Sequence, residues 1–214
     1  LRKALIYVTA IHVPIAGLAL IPIVLGLPQL LFPMHVVFLE LVIDPVCAMV
    51  FEAEPGTPNA MRRPPRRRDE ALFGPVQLGL AVLQGAGVLA GVLGVYVWSL
   101  GHYAELEARG AAFLALVVGN LVLALTDASS AGGRLFAPHR KVYWFIAAAA
   151  GGVLTLVLMV PAVADIFKVA PLHMPLLMLA LGVAGVSGGW FGVARSLRAD
   201  LTRHRRKAPG PSPA

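Results

Sequence analysis

The chain has 214 residues, of which 58% are hydrophobic and 14% charged, and its mean hydropathy is +0.78. That balance excludes an ordinary soluble domain and points to a protein with several membrane spans. The net charge of +7 invites a nucleic-acid reading, and the lone Cys47 excludes an intrachain disulfide framework or a multi-cysteine metal cage.

Six segments are long and apolar enough to cross a hydrocarbon core that needs about 20 helical residues. They are residues 5–25, 30–51, 76–100, 111–128, 142–164 and 174–194, with no room between them for a soluble domain. The expected fold is therefore an all-α membrane bundle of six transmembrane helices over residues 1–198. Residues 199–214 follow as a tail, basic at first and then proline-rich and disordered. The chain opens on Leu1-Arg2-Lys3 directly before an apolar helix, which suggests a piece of a longer protein.

With the N-terminus in the cytoplasm, the loops on that side collect 16 of the 18 lysines and arginines, and the far side receives only Arg109 and Lys168. This is the positive-inside pattern of a multi-pass membrane protein with both ends of the segment cytoplasmic. The basic residues are thus topology signals facing a lipid bilayer, and no nucleic-acid partner is expected, because base-reading and stacking residues do not accompany them.

The first span contains His12 and Pro14. A proline at mid-span kinks the helix or frees the carbonyl four residues back, on Ala10. His12, one turn from that break, is either a packed neutral histidine or a ligand and proton carrier. The turn Gly26-Leu27-Pro28 is short enough to make the first two spans an antiparallel hairpin. Pro14 and the middle of the second span are then expected to face each other near the midplane, the arrangement with which many transporters build an ion site.

The second span carries two acids, Glu40 and Asp44, four residues apart and so on one helical face. Pro45 follows and leaves the carbonyl of Leu41 without its usual donor. A charged acid at the bilayer centre costs roughly 2.5–3.5 kcal/mol even on the insertion scale. Two on adjacent turns cannot both ionise cheaply unless a cation lies between them, and when the cation leaves, at least one should take up a proton. Oxygen ligands favour hard divalent ions such as Ca²⁺, Mg²⁺ or Mn²⁺. The competing explanation is a hydrogen-bonded structural network against another helix.

The loop after this span carries Arg62, Arg63, Pro64, Pro65 and Arg66, a stiff basic stretch that either sets topology or docks another domain. In the third and sixth spans, Gly87 with Gly91, Gly185 with Gly189 and Gly188 with Gly192 read as close-packing pairs. Asn120 in the fourth span, the shortest, is an interhelical hydrogen-bonding amide or an ion ligand. Asp127 and Asp165 read as boundary acids that reach the interface. Tyr143, Trp144 and Trp190 read as interfacial aromatics.

Residues 26–28, 33–54 and 61–66, together with Ala164-Asp165-Ile166-Phe167-Lys168 before Pro171-Leu172, resemble the C-terminal membrane region of P-type cation-transporting ATPases. The group most similar is that of the sarco/endoplasmic reticulum calcium pumps. The resemblance implies that the six spans are helices five to ten of a ten-helix pump. It implies that Asp44 matches an aspartate ligand, that Glu40 and His12 fall at asparagine ligand positions, and that Ile43 replaces a threonine. Ile15 and, more loosely, Val117 stand where calcium pumps carry glutamates. One cation site, for Ca²⁺ or another hard divalent ion, is thus expected rather than two.

The resemblance also implies partners in the same pump: a phosphorylation domain, a nucleotide domain that binds Mg-ATP, an actuator domain and four further helices. The phosphorylation motif DKTGT is absent from these residues, so the segment alone is not catalytic. A bacterial inner membrane is the expected residence. Two other functions fit the same acids: a stand-alone six-helix secondary carrier or channel, and a non-transporting membrane scaffold.

Overall fold

The structure, a computed structural model, describes residues 2–45, 49, 74–128 and 140–207, with the backbone alone described at 2–3, 43–44, 128 and 195–207. These residues form helices and no strands: α1 (Arg2–Val24), α2 (Pro33–Pro45), α3 (Pro75–Leu100), α4 (Glu105–Ala128), α5 (Lys141–Met159), α6 (Pro161–Phe167) and α7 (Met174–Lys207). Five of them (α1, α3, α4, α5 and α7) are long and apolar enough to cross a membrane, while the apolar part of α2 is shorter among the described residues. The all-α membrane bundle expected from composition is what forms.

The helix ends follow from local chemistry. Gly26, with φ of 69°, ends α1. Its N–H bonds the carbonyl of Ile23 at 3.1 Å, and the N–H of Leu27 bonds that of Pro22 at 2.8 Å, the paired bonds of a Schellman cap. Pro33 and Pro75 each occupy the first helical position, where the missing N–H removes nothing. Lys168 takes the left-handed conformation at the end of α6, with Val169 N–H bonded to the Ala164 carbonyl at 3.0 Å.

α4 is the axis of the bundle. Within its most apolar window 83% of residues are buried, against 28–33% in the other spanning helices. It packs most extensively on α7 and also on α3, while α1 lies against α3 and α4. Small residues allow these approaches. A Cβ on Gly188 would stand 2.5 Å from the Gly119 carbonyl oxygen of α4, and one on Gly192 would stand 2.9 Å from Thr126. A Cβ on Gly91 of α3 would meet Ser187 of α7 at 2.8 Å. The pairing of Gly188 with Gly192 and of Gly87 with Gly91 therefore serves packing as expected, whereas Gly185 has open space around it.

Several expectations need correction. The connection between α1 and α2 occupies residues 25–32 and is longer than the short turn Gly26-Leu27-Pro28, because no helix forms between Leu27 and Phe32. α1 and α2 are not packed along one another as a hairpin; α2 lies against α5 and α6. α1 runs unbroken through Pro14. The fourth span is not short: α4 starts at Glu105, six residues early, because its polar first turns are accommodated by hydrogen bonds. The fifth span divides at Val160, since Pro161 cannot continue the ladder. Tyr143 is buried, its hydroxyl donating to the Leu121 carbonyl at 2.7 Å, and is not an interfacial residue. Trp144 is 37% exposed. α7 continues as helix through the basic stretch to Lys207, and residues 208–214 lie outside the described ones.

Candidate functional site

α2 presents two unlike sides. Phe38, Leu41, Val42 and Pro45 recur at helical spacing and turn toward α5, and Phe38 also reaches Phe167 of α6 with ring centroids 6.2 Å apart. Glu40 stands on the opposite side and is half-buried. Asp44 lies on the same helix four residues on, so its register position is on the Glu40 side; its side chain is outside the described ones. Pro45 belongs to α2, which leaves the Leu41 carbonyl without an amide donor from one turn on.

Asn120 is 3% exposed on α4, and neither its amide nitrogen nor its amide oxygen has a hydrogen-bond partner among the described residues. Its depth follows from the rings. Phe38 of α2 and Phe113 of α4 are 5.5 Å apart, and both helices start from the same end of the bundle. Asn120 is seven residues beyond Phe113 and Asp44 six beyond Phe38, so each lies about 9–11 Å further in. The unsatisfied amide is therefore at the level of Asp44 and roughly one turn below Glu40.

His12 is exposed, on the side of α1 away from α3, with its Nδ1 2.7 Å from the Val8 carbonyl of its own helix. The carbonyl of Ala10, which Pro14 deprives of a donor, is not left open. Gly85 of α3 approaches it so closely that any side chain there would overlap it. Ile15 is partly buried and Val117 buried, and both side chains are apolar. Among the described residues no group of three or more His, Cys, Asp or Glu side chains could hold a metal ion. Arg62, Arg63, Pro64, Pro65 and Arg66 lie outside the described residues.

Three polar features escaped the sequence reading. The first is Arg109, counted there only as a far-side charge. It is 3% exposed. Its Nε donates to the Gln29 carbonyl at 3.0 Å and its Nη1 to the Lys168 carbonyl at 2.8 Å; Nη2 pairs with Glu105, and the guanidinium lies 4.9 Å from the centre of the Phe32 ring. One side chain thus joins the α1–α2 connection, the first turns of α4 and the end of α6. Tyr96 adds a hydrogen bond from its hydroxyl to the Pro28 carbonyl at 2.8 Å. The i, i+4 spacing of Glu105 and Arg109 was a legible sign that this stretch is helical.

The second is His35, fully buried among Phe32, Phe113 and Phe167. Its Nδ1 accepts the Phe32 N–H at 2.9 Å, closing the first turn of α2. The third is Gln84 of α3, whose Nε2 donates to Asp127 Oδ1 of α4 at 3.0 Å. Asp127 is 5% exposed, so it is not a boundary acid reaching the interface. The amide of Gln84, in the middle of an apolar span, was its advance signal.

The model of the family described as cation transporting ATPase, C-terminus, matches residues 28–197. The match begins after α1 and takes in every helix from α2 into α7. No curated protein matches the chain.

Proposed function

The chain belongs to the family of cation-transporting ATPase C-terminal regions, and from that premise we propose that it holds the transport half of an ATP-driven pump, with the cation carried between Glu40 and Asp44. Membership of that family implies further domains elsewhere in the pump, and Mg-ATP is consumed there. The observation that carries the site reading is the amide of Asn120: buried, without a partner at either polar atom, and at the level of Asp44. A buried amide left unsatisfied costs about 1–3 kcal/mol, a cost that a role in ion binding accounts for. The two carboxylates and the Leu41 carbonyl of α2 offer oxygen ligands suited to Ca²⁺ or another hard divalent ion, and Asn120 lies at the same depth on α4.

Departure of the cation leaves two carboxylates in a low dielectric, so a proton returns with the empty carrier. His12 stands at the periphery of such a site rather than in it. The loop that includes Arg62, Arg63, Pro64, Pro65 and Arg66 docks the phosphorylation domain on the cytoplasmic side, where both ends of the segment also lie. Phosphorylation of the pump then alternates access to the site by moving α1 and α2 relative to α4.

The test is phosphorylation of the complete pump by ATP across a panel of Ca²⁺, Mn²⁺ and Mg²⁺. Glu40→Gln and Asp44→Asn are each expected to abolish the cation dependence. Unaltered cation affinity in both variants would refute the site, and a wild-type pump with no cation-dependent phosphoenzyme would refute the pump.

A further inference from the structure

A groove of about 260 Å³ runs between α2 and α5, with an almost wholly apolar lining. Phe38 and Leu41 of α2 form one wall; Val142, Phe145, Ala149 and Val153 of α5 form the other. On α5 these residues recur at i, i+3, i+7 and i+11, a single stripe down one face. Lys141 continues that stripe, four residues before Phe145 and so directly above it at the end of the helix. Lys141 is exposed and has no ion-pair partner among the described residues. The groove therefore has an apolar body and one cationic mouth.

We propose that this groove is a binding site for one acyl chain of an anionic phospholipid, whose phosphate meets Lys141. Its dimensions select that occupant. From Val142 to Val153 is 11 residues, or about 17 Å of helix. That matches one leaflet of a hydrocarbon core about 30 Å thick and is half of what a spanning helix would need. The volume agrees: an apolar cavity of about 150 Å³ takes a six-carbon ring, so 260 Å³ takes on the order of ten carbons of a chain. The charge agrees as well, since a lysine at the membrane surface attracts anionic headgroups. Trp144, next to the first groove residues and 37% exposed, sits at the headgroup level that Lys141 defines. The site rests on the membrane-spanning fold rather than on the cation reading: Glu40 and Asn120 do not line the groove, and Leu41 lines it with its side chain, not through the carbonyl.

The experiment uses the full chain in detergent, stripped of lipid and then given dioleoyl-phosphatidylglycerol or dioleoyl-phosphatidylcholine, with retention followed by native mass spectrometry. One phosphatidylglycerol per chain is expected, held more tightly than phosphatidylcholine. Lys141→Gln should weaken that retention about fivefold. Ala149→Trp, which fills the groove from an exposed position, should remove the retained lipid. Benzoylphenylalanine in place of Ala149 should crosslink to phospholipid in vesicles of four parts phosphatidylcholine to one part phosphatidylglycerol. Equal retention of the two lipids, retention unaffected by Ala149→Trp, or a crosslink to polypeptide (a helix of the same pump or a second copy) would each overturn the proposal.

Discussion

Replacing Arg109 by methionine keeps the length and apolar stem of the side chain and deletes its guanidinium. Two carbonyls, on Gln29 and Lys168, then lose donors at 3.0 and 2.8 Å. A hydrogen bond to a charged group is worth about 1.5–3 kcal/mol when buried; both bonds here are partly buried, so about 1 kcal/mol each is the appropriate figure. The contact with the Phe32 ring adds about 0.5–1 kcal/mol. Glu105 contributes little, since its side chain is 50% exposed and such pairs are worth about 0–1 kcal/mol.

The loss is thus about 3 kcal/mol. For a chain of this size about 2–4 °C accompanies each kcal/mol, so Arg109→Met should lower the midpoint of thermal unfolding in detergent by about 6–12 °C, followed by circular dichroism. Arg109→Lys, which can serve one carbonyl but not both, should fall between, and Glu105→Gln should move the midpoint by less than about 3 °C. A shift below about 2 °C for Arg109→Met would show that the joint between α4, α6 and the α1–α2 connection does not depend on this side chain.

Gly85→Ala places a methyl group against the Ala10 carbonyl and Val13; overpacking of this kind costs about 1–3 kcal/mol, and an unchanged unfolding midpoint would mean that α1 and α3 separate without penalty. Gln84→Leu removes a buried donor from Asp127 and should destabilise by about 1–3 kcal/mol, read in the same unfolding experiment. Asn120→Leu should do the opposite: deleting an unsatisfied amide raises the midpoint, while cation-dependent phosphorylation of the complete pump is lost. A lower midpoint for Asn120→Leu would mean that the amide is satisfied and is structural.

Much of the fold was legible because a bilayer enforces few solutions. Helices must satisfy their own backbone, so apolar runs of about 20 residues could be placed with little more than counting. The errors fall where backbone groups find other partners. Glu105, Glu107 and Arg109 looked like loop residues by polarity, yet they lie in α4 because carbonyls of other segments accept from Arg109. The Gly26-Leu27-Pro28 turn was recognised, but its length was underestimated. A Schellman cap fixes only where α1 stops, and the non-helical run to Pro33, held by Tyr96 and Arg109, is a tertiary effect.

The site divides along the same line. The acids on α2 stood out because charge in an apolar helix is costly, a property of the residue alone. What could not be read was the use made of a polar group once freed. Pro14 was understood to release the Ala10 carbonyl, and a released carbonyl suggests a ligand; the close approach of Gly85 shows instead that it is a packing surface, which needs both helices to be seen. Asp127 and Asn120 show the reverse. Both are polar residues late in one helix, and position along the chain would make the first peripheral and the second central. Gln84 distinguishes them physically: it supplies Asp127 with a donor from α3, while Asn120, about two turns deeper, receives nothing from the described residues. A donor to one oxygen of a buried acid stabilises a bundle, whereas a buried amide with no partner at either atom destabilises it. Residue type and position along the chain do not carry that difference; the donor on α3 does.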